Sequence, residues 1–362
     1  MKETKHTPKN LSKVLYPLRF IKPGIKINDE TIFEDIEKNL KDTEFYKYLV
    51  RSFTIDGKFK KESLESILEN MARVFIKRAV DDKGFIHLGG GNNGKSVFLK
   101  YLQKLVGLEN FVSIPLQTLG DDKFAKADLE GKSLNVYADL EEHALRHSGA
   151  TKNLFGGEPE RAQKKHGHGF TLRCFSAFVY SCNRFPKVYD QSEGFFRRWI
   201  ISTWERDFEK DSEKIPDLID KLNDEDEKNK VFSSIIHLAS KINRDGKYIH
   251  EKSWRENQKQ WNSNAEPLDS FIGEYILEDL DKSARKTKIE TYKFYKNTMY
   301  DLGELPLSMR KFGEAMIEVY DESKIDNIRY WLHIDLKKPK QIPLPLKSKD
   351  ETKPHVIIHD KE

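Results

Sequence analysis

Eight consecutive residues, Gly89-Gly90-Gly91-Asn92-Asn93-Gly94-Lys95-Ser96, fit the pattern G-x-x-x-x-G-K-[ST]. In that pattern glycines let backbone N–H groups turn onto phosphate oxygens, and the lysine reaches the β- and γ-phosphates. The hydroxyl takes a place on Mg²⁺. A strand must deliver such a loop and a helix must leave it, so that the helix directs its positive end at the same anion. Both are legible. FIHLG (85–89) reads as a buried strand and KSVFLKYLQKLVG (95–107) as an amphipathic helix. A glycine-rich turn that binds nothing is the plainer alternative, and this flanking context weighs against it.

A nucleotide hydrolase also needs a carboxylate at the end of a second strand, to hold the metal and orient water. SLNVYAD (133–139), followed by Glu141 and Glu142, supplies it. Asp139 is the candidate metal contact. Glu141 is the candidate for polarising the attacking water, with Glu142 as the competing choice. A solvated acidic strand end is a common feature in isolation, and it loses ground here because a phosphate loop precedes it. SAFVYSCN (176–183) is a third apolar strand, ending in an amide. Asn183 would hydrogen-bond the γ-phosphate or the lytic water, although asparagine ends many strands for the sake of a turn.

Arg197 and Arg198, in GFFRRWII (194–201), stand at the start of a further apolar run. Neighbouring strand residues point to opposite faces, so one of the two is expected to serve a given phosphate. An arginine supplied by a neighbouring subunit would stabilise transition-state charge. The segment RAQKKHGHGFTLR (161–173) holds four basic residues and two histidines with no acid. Lys164, Lys165, His166 and His168 surround the glycines of an expected hairpin tip, where basic side chains suit a nucleic-acid backbone. The two histidines have no convergent third ligand in the sequence, so a metal is not expected on them.

The elements that must position these residues follow from pattern and composition. With 362 residues, two or three folded units are expected. Lys and Arg total 63 against 59 Asp and Glu, a net charge of +4, which excludes a polybasic, histone-like protein. Charged residues at 34% and hydrophobic ones at 37% give real cores under a charged surface. Cys174 and Cys182 alone cannot build a disulfide framework or a four-ligand zinc site. No run approaches the roughly 18 apolar residues of a membrane span, and MKETKHTPKN lacks the apolar core of a signal peptide. A cytoplasmic protein, or one of a host-cell interior, with no membrane partner is expected.

Leu64, Ile67, Leu68, Met71, Val74 and Phe75 form one helical stripe leading to the first strand. From 84 to 204, strands alternate with helices, FVSIPL (111–116) and FTLRCF (170–175) being read as further strands. That order implies a largely parallel sheet covered on both faces. Three helices and a ribbon around IRYWLHIDL (328–336) suit a winged helix. The expected boundaries are a helical region at 1–80, an α/β core at 81–206, a charged helical connector at 207–267, a winged-helix domain at 268–336 and a mobile Pro- and Lys-rich tail at 337–362.

Taken in order, GGGNNGKS, LNVYADLEE, LFGGEPERAQKKHGHGF, FVYSCNRFP and GFFRRWIIS resemble the superfamily 3 helicases, specifically the helicase part of phage/plasmid and poxvirus-type primase–helicases. The resemblance covers roughly residues 80–204, and 268–336 more loosely resembles the winged-helix domain that follows such cores. It implies a P-loop, AAA+-like parallel-sheet ATPase using ATP and Mg²⁺. It further implies a ring, usually a homo-hexamer, that translocates 3′→5′ on single-stranded DNA and acts on forked DNA, in some cases with a primase or primase-polymerase. The roles implied are nucleotide and metal binding for Lys95 and Ser96, metal for Asp139, and a sensor for Asn183. Arg198, or less directly Arg197, becomes the trans-acting finger, and Lys164, Lys165 and His166 become hairpin contacts to DNA. One departure stands out: many members carry adjacent carboxylates, whereas Leu140 separates Asp139 from Glu141. The residues before position 80 are too few for a primase module, so the expectation is a standalone helicase or one whose primase half is encoded elsewhere or was cut away.

A second reading is an origin-binding initiator whose ATPase controls assembly without processive unwinding. A nucleotide switch that is not a motor is disfavoured, having no need of a trans arginine or a basic hairpin.

Overall fold

Apolar residues at helical spacing build three helices ahead of the sheet: α1 (Ile32–Leu40), α2 (Glu44–Ser52) and α3 (Lys61–Val74). A small hairpin, β1 (Thr54–Ile55) with β2 (Lys58–Phe59), joins the last two. The computed structural model describes residues 14–78, 81–141, 144–209, 215, 217–265, 267–278, 284–301 and 306–337. Glu142 and the tail beyond Lys337 therefore lie outside the described residues. The chain divides into two units, Met1–Glu266 and Pro267–Glu362.

The first unit continues with β3 (Gly84–Leu88), α4 (Lys95–Val106) and β4 (Phe111–Val112). Next come α5 (Leu116–Asp121), α6 (Lys123–Ala127), β5 (Leu134–Tyr137) and α7 (Gly149–Phe155). A hairpin of β6 (Glu160–Gln163) and β7 (Gly169–Leu172) precedes β8 (Ala177–Cys182). After α8 (Glu193–Phe196) and β9 (Trp199–Thr203), the unit ends with α9 (Leu218–Lys221), α10 (Glu225–Asp245) and α11 (Trp254–Ala265).

Five strands form one sheet in the order β4-β5-β8-β3-β9, every pair parallel. Its central strands are apolar on both faces because both are covered. Phe85, Val136, Val179 and Ile200 point to a core shared with α1–α4 and α10. Their chain neighbours Ile86, Tyr180 and Ile201 point to a second core beneath α7, α8 and α11. Period-two alternation thus sorts each strand between two hydrophobic layers.

Two segments differ from the sequence reading. FVSIPL is strand only at Phe111–Val112, because Pro115 caps a helix that starts at Leu116. FTLRCF contributes β7, which pairs antiparallel with β6 and stays out of the parallel sheet. The Gly-rich turn at 164–168 closes that hairpin locally. The charged stretch after 207 is also more than a link. Along α10, Val231, Ile235, Leu238 and Ile242 recur at helical spacing and pack with α1 and α3 in the first core. The charged residues of α10 gather toward its ends, with Glu225, Asp226 and Glu227 in the first turn and Arg244 in the last.

Sandwiched between the sheet and α10, α3 buries polar groups as well as apolar ones. Glu69, fully buried, accepts the backbone N–H groups of Ile249 (2.5 Å) and His250 (3.2 Å). Burial outweighs these donors and lifts its carboxyl to about 7. A carboxyl raised in the fold keeps its proton when the unfolded chain has lost it, so stability falls as pH rises from about 4.5 to 7. The ceiling is about 1.4 kcal/mol per pH unit. Urea unfolding between pH 5 and 8 should show this slope in the wild type and a flatter one in Glu69→Gln, with Glu65 and His250, paired at 2.8 Å nearby, unchanged. Identical slopes would refute the assignment.

The second unit contains α12 (Pro267–Tyr275), β10 (Ile276–Glu278), β11 (Arg285–Thr287), α13 (Lys288–Asp301) and α14 (Met309–Ile317). It closes with β12 (Glu322–Ile325), β13 (Ile328–Leu332) and β14 (Ile334–Leu336). A three-stranded antiparallel sheet runs β11-β13-β12, and β10 pairs with β14. Asp326 and Asn327, both with positive φ, make the two-residue turn between β12 and β13. The unit has its own core around Phe271, Tyr295, Phe312 and Trp331. Among the described residues no helix is long and apolar enough to cross a membrane.

Candidate functional site

The loop 89–94 leaves the C-terminal end of β3 and turns under tight steric control. Gly89 has φ +154°, and a Cβ there would sit 2.3 Å from the Trp204 carbonyl oxygen, so no side chain fits. The Asn93 side-chain amide donates to the carbonyls of Gly90 (2.8 Å) and Trp204 (3.0 Å). Its Oδ1 accepts the Lys95 N–H at 3.3 Å. Gly94 caps α4 at φ +95°, and the Tyr48 hydroxyl donates to its carbonyl at 2.8 Å. The 12-residue α4 then aims its N-terminal N–H groups and positive dipole end at the loop.

The ends of two other strands, β8 and β5, meet this loop. The Lys95 ammonium donates to the carbonyls of Gly89 and Gly90, and over 3.4 Å to Asn183 Oδ1 at the end of β8. Asn183 Nδ2 in turn lies 3.5 Å from Asp139 Oδ1, just past β5. Asp139 has φ +61°, and its N–H donates to Ser181 Oγ at 3.2 Å. These long side-chain contacts are weak hydrogen bonds. They nevertheless bring together Lys95, Asp139 and Asn183, three residues expected from sequence to share a site. Burial brings the Lys95 ammonium down to about 8, with Cys182 and Asp139 opposing that shift.

A cavity of about 450 Å³ opens here. Its wall includes the loop, Ser96, Asp139 and Asn183 on one side and Tyr48, Arg51, Phe208 and Leu218 on another. The second group escaped the sequence reading, because it comes from α2 and from the segment after the sheet, with no motif of its own. Trp204 ties these parts together. Its ring packs on Phe53 and Tyr48, and its Nε1 donates to Nδ1 of His87 at 3.2 Å. Burial drives His87 down to about 3, so this imidazole stays neutral.

An oxygen-donor pair, the Ser96 hydroxyl and the Asp139 carboxylate, lines the cavity. That set fits Mg²⁺, which is commonly held by one or two protein oxygens plus phosphates. Glu141 does not line the cavity, and its carbonyl instead accepts from Gln117 Nε2 at 3.1 Å. Asp139 is therefore the one carboxylate in the cavity wall among the described residues. No cluster of three or more His, Cys, Asp or Glu suited to a metal occurs among them.

Arg197 and Arg198 are not brought to the cavity. They precede β9, whose first residue Trp199 pairs with Gly84, at the end of the sheet where strands begin. The loop lies at the other end, a strand length of about 16 Å away. Nor do the two arginines alternate across a strand as expected. Arg197 still belongs to the end of α8, and both guanidiniums reach the same carboxylate, Asp82.

The hairpin projects as a unit with an anchored base. Ala162 and Leu172 are buried, and Glu160 accepts from Lys126 (3.2 Å) and Asn153 (2.8 Å). The tip residues Lys164, Lys165, His166 and His168 are exposed, with His166 at φ +61°. Lys164 pairs with Glu130 at 2.8 Å.

A family model described as a family of unknown function (DUF5906) matches residues 87–198, less than half of the chain. No curated protein matches. Among solved structures, the apo C-terminal region of NrS-1 is similar at 13% identity, over 91% of this chain and 79% of that one, with a TM-score of 0.47. A structure of JCV helicase bound to a thiazolopyridine compound is similar at 15% identity, over 77% and 76% of the two chains, with a TM-score of 0.25. Likenesses this remote leave the function of this chain to be argued from its own site.

Proposed function

We propose that the chain is an ATP-driven DNA helicase that works as a ring on single-stranded DNA. One observation carries the reading. Lys95, Ser96, Asp139 and Asn183, spread over 88 positions of sequence, converge on one cavity at the C-terminal edge of a parallel sheet, while an arginine pair sits at the opposite edge. Ligands of open α/β sheets bind at that C-terminal edge. Arginines at the other edge serve a nucleotide only if it belongs to another subunit.

In this reading the loop N–H groups and Lys95 hold the β- and γ-phosphates of ATP, and Ser96 and Asp139 hold Mg²⁺. The ion, when bound, neutralises charge on the phosphates. Asn183 faces both Lys95 and Asp139 and is placed to orient the attacking water or sense the γ-phosphate. Tyr48 and Phe208 offer aromatic surface, and Leu218 an apolar wall, to the nucleoside. An arginine of the next subunit stabilises the charge that develops as the phosphoryl group departs. The exposed hairpin tip carries the DNA contacts.

The second unit supports the same reading. Its order, α12, β10, β11, α13, α14, β12, turn, β13, β14, with sheet order β11-β13-β12, is what leads us to read it as a winged helix, in which α14 would enter a groove of duplex DNA. That placement suits a motor at a fork or an initiator at an origin. A forked duplex with one labelled strand separates the two. The motor reading expects strand displacement that requires hydrolysable ATP and Mg²⁺. ATP hydrolysis with DNA binding but no displacement on any fork geometry would leave the initiator in its place.

A further inference from the structure

The arginine pair is gripped by three consecutive residues that lead straight into β3. The Asp82 carboxylate accepts from Arg197 Nη2 at 2.6 Å and Arg198 Nη2 at 3.4 Å. The Lys83 ammonium donates to the Arg197 carbonyl at 2.6 Å, and the Gly84 N–H donates to the Arg198 carbonyl at 2.8 Å. Arg198 also donates to the Gly194 carbonyl and is largely covered, its side chain 16% exposed against 43% for Arg197. Five residues beyond Gly84, the same strand delivers Gly89 of the phosphate loop.

We propose that Asp82 is the positioning residue for the arginine pair, setting the angle and net charge with which it meets the nucleotide of the next subunit. The inference rests on the trans-arginine reading above. Two guanidiniums side by side repel one another. A single carboxylate between them offsets that repulsion and leaves the Arg197–Arg198–Asp82 cluster with one net positive charge, the neighbouring Lys83 being paired with Glu251. Because the carboxylate precedes β3, the pair is fixed to the strand that carries its own subunit's phosphate loop. A shift of that strand would move the pair toward or away from its neighbour's nucleotide. Asp82 touches no nucleotide itself; it acts through the arginines.

The test uses the full-length protein with Asp82→Asn, Asp82→Glu, Arg197→Ala and Arg198→Ala. Asp82→Asn should lower kcat for ATP by about 100-fold, the cost of misplacing a catalytic group by about 1 Å, with KM unchanged because its own loop is intact. Asp82→Glu should recover part of the loss. Mixed with Lys95→Ala subunits, Asp82→Asn subunits should regain hydrolysis, since their intact loops then meet intact arginine clamps. Damage confined to folding would give no such return. Full kcat in Asp82→Asn, alongside low kcat in an arginine variant, overturns the inference and spares the trans reading. Absence of recovery in proven mixed assemblies also overturns it. Full activity in both arginine variants overturns the trans reading, and the inference with it.

Discussion

Lys95→Ala is expected to cut ATP turnover by at least about 100-fold, the cost of removing one donor aimed at developing charge. In the structure the ammonium is tied to the Gly89 and Gly90 carbonyls, pointing across the mouth of the loop. It is the cation of the loop itself, and charge-assisted contacts to phosphate are about twice as strong as neutral ones. The fold should hardly notice the change. The variant removes an ammonium whose burial already costs enough to bring it down to about 8, and Asp139 keeps its contact with Asn183. Phosphate release should therefore collapse while the thermal melting midpoint stays within a few degrees. Asp139→Asn should behave in the same way, because it is the one carboxylate in the cavity wall among the described residues. Turnover close to wild type in Lys95→Ala would end the nucleotide-hydrolase reading.

That expectation could be written from the sequence because each residue involved sits at a strand end within a local motif. Lys95 belongs to an eight-residue pattern, and Asp139 and Asn183 each close a short apolar run. Once the runs pair in parallel, their ends must lie side by side, so the convergence is a consequence of topology. Residues recruited from outside the sheet were not legible. Tyr48 belongs to a helix whose only evident pattern is amphipathic, and its hydroxyl finds the Gly94 carbonyl across 46 positions. Phe208 reaches the cavity because its N–H donates to the Asn92 carbonyl at 2.8 Å, a contact no spacing rule announces. The alternation expected of Arg197 and Arg198 failed for a different reason. Alternation applies within a strand, and Arg197 and Arg198 lie in the turn before one, where both side chains can reach Asp82. The acidic end shows the same limit: sequence offered Asp139 and Glu141 together, but of these two only Asp139, at a left-handed turn, lines the cavity.

The hairpin is where a motor and a mere ATPase part company. Lys164→Ala/Lys165→Ala should keep basal ATP hydrolysis and lose both DNA-stimulated hydrolysis and strand separation. Both lysines are on the exposed tip, while the base is held independently by Ala162, Leu172 and the Lys126–Glu160 pair at 3.2 Å. Truncating the tip thus leaves the hairpin seated and the cavity untouched. Each lysine that contacts a phosphate should lower the salt slope of single-strand binding by about one when removed. The two should not be equal. Lys164 is paired with Glu130 at 2.8 Å, an exposed bridge worth about 0–1 kcal/mol and easily exchanged for a phosphate. Its loss leaves the Glu130 carboxylate without that counter-charge, facing the approaching DNA backbone. Lys164→Ala should therefore weaken binding more than Lys165→Ala, and Glu130→Gln should offset part of the difference. Fluorescence anisotropy on a labelled single strand at several salt concentrations measures all three, and fork unwinding measures the consequence. Unwinding at the wild-type rate in the double variant would remove the hairpin from the DNA path and leave an ATPase that assembles on DNA as the better account.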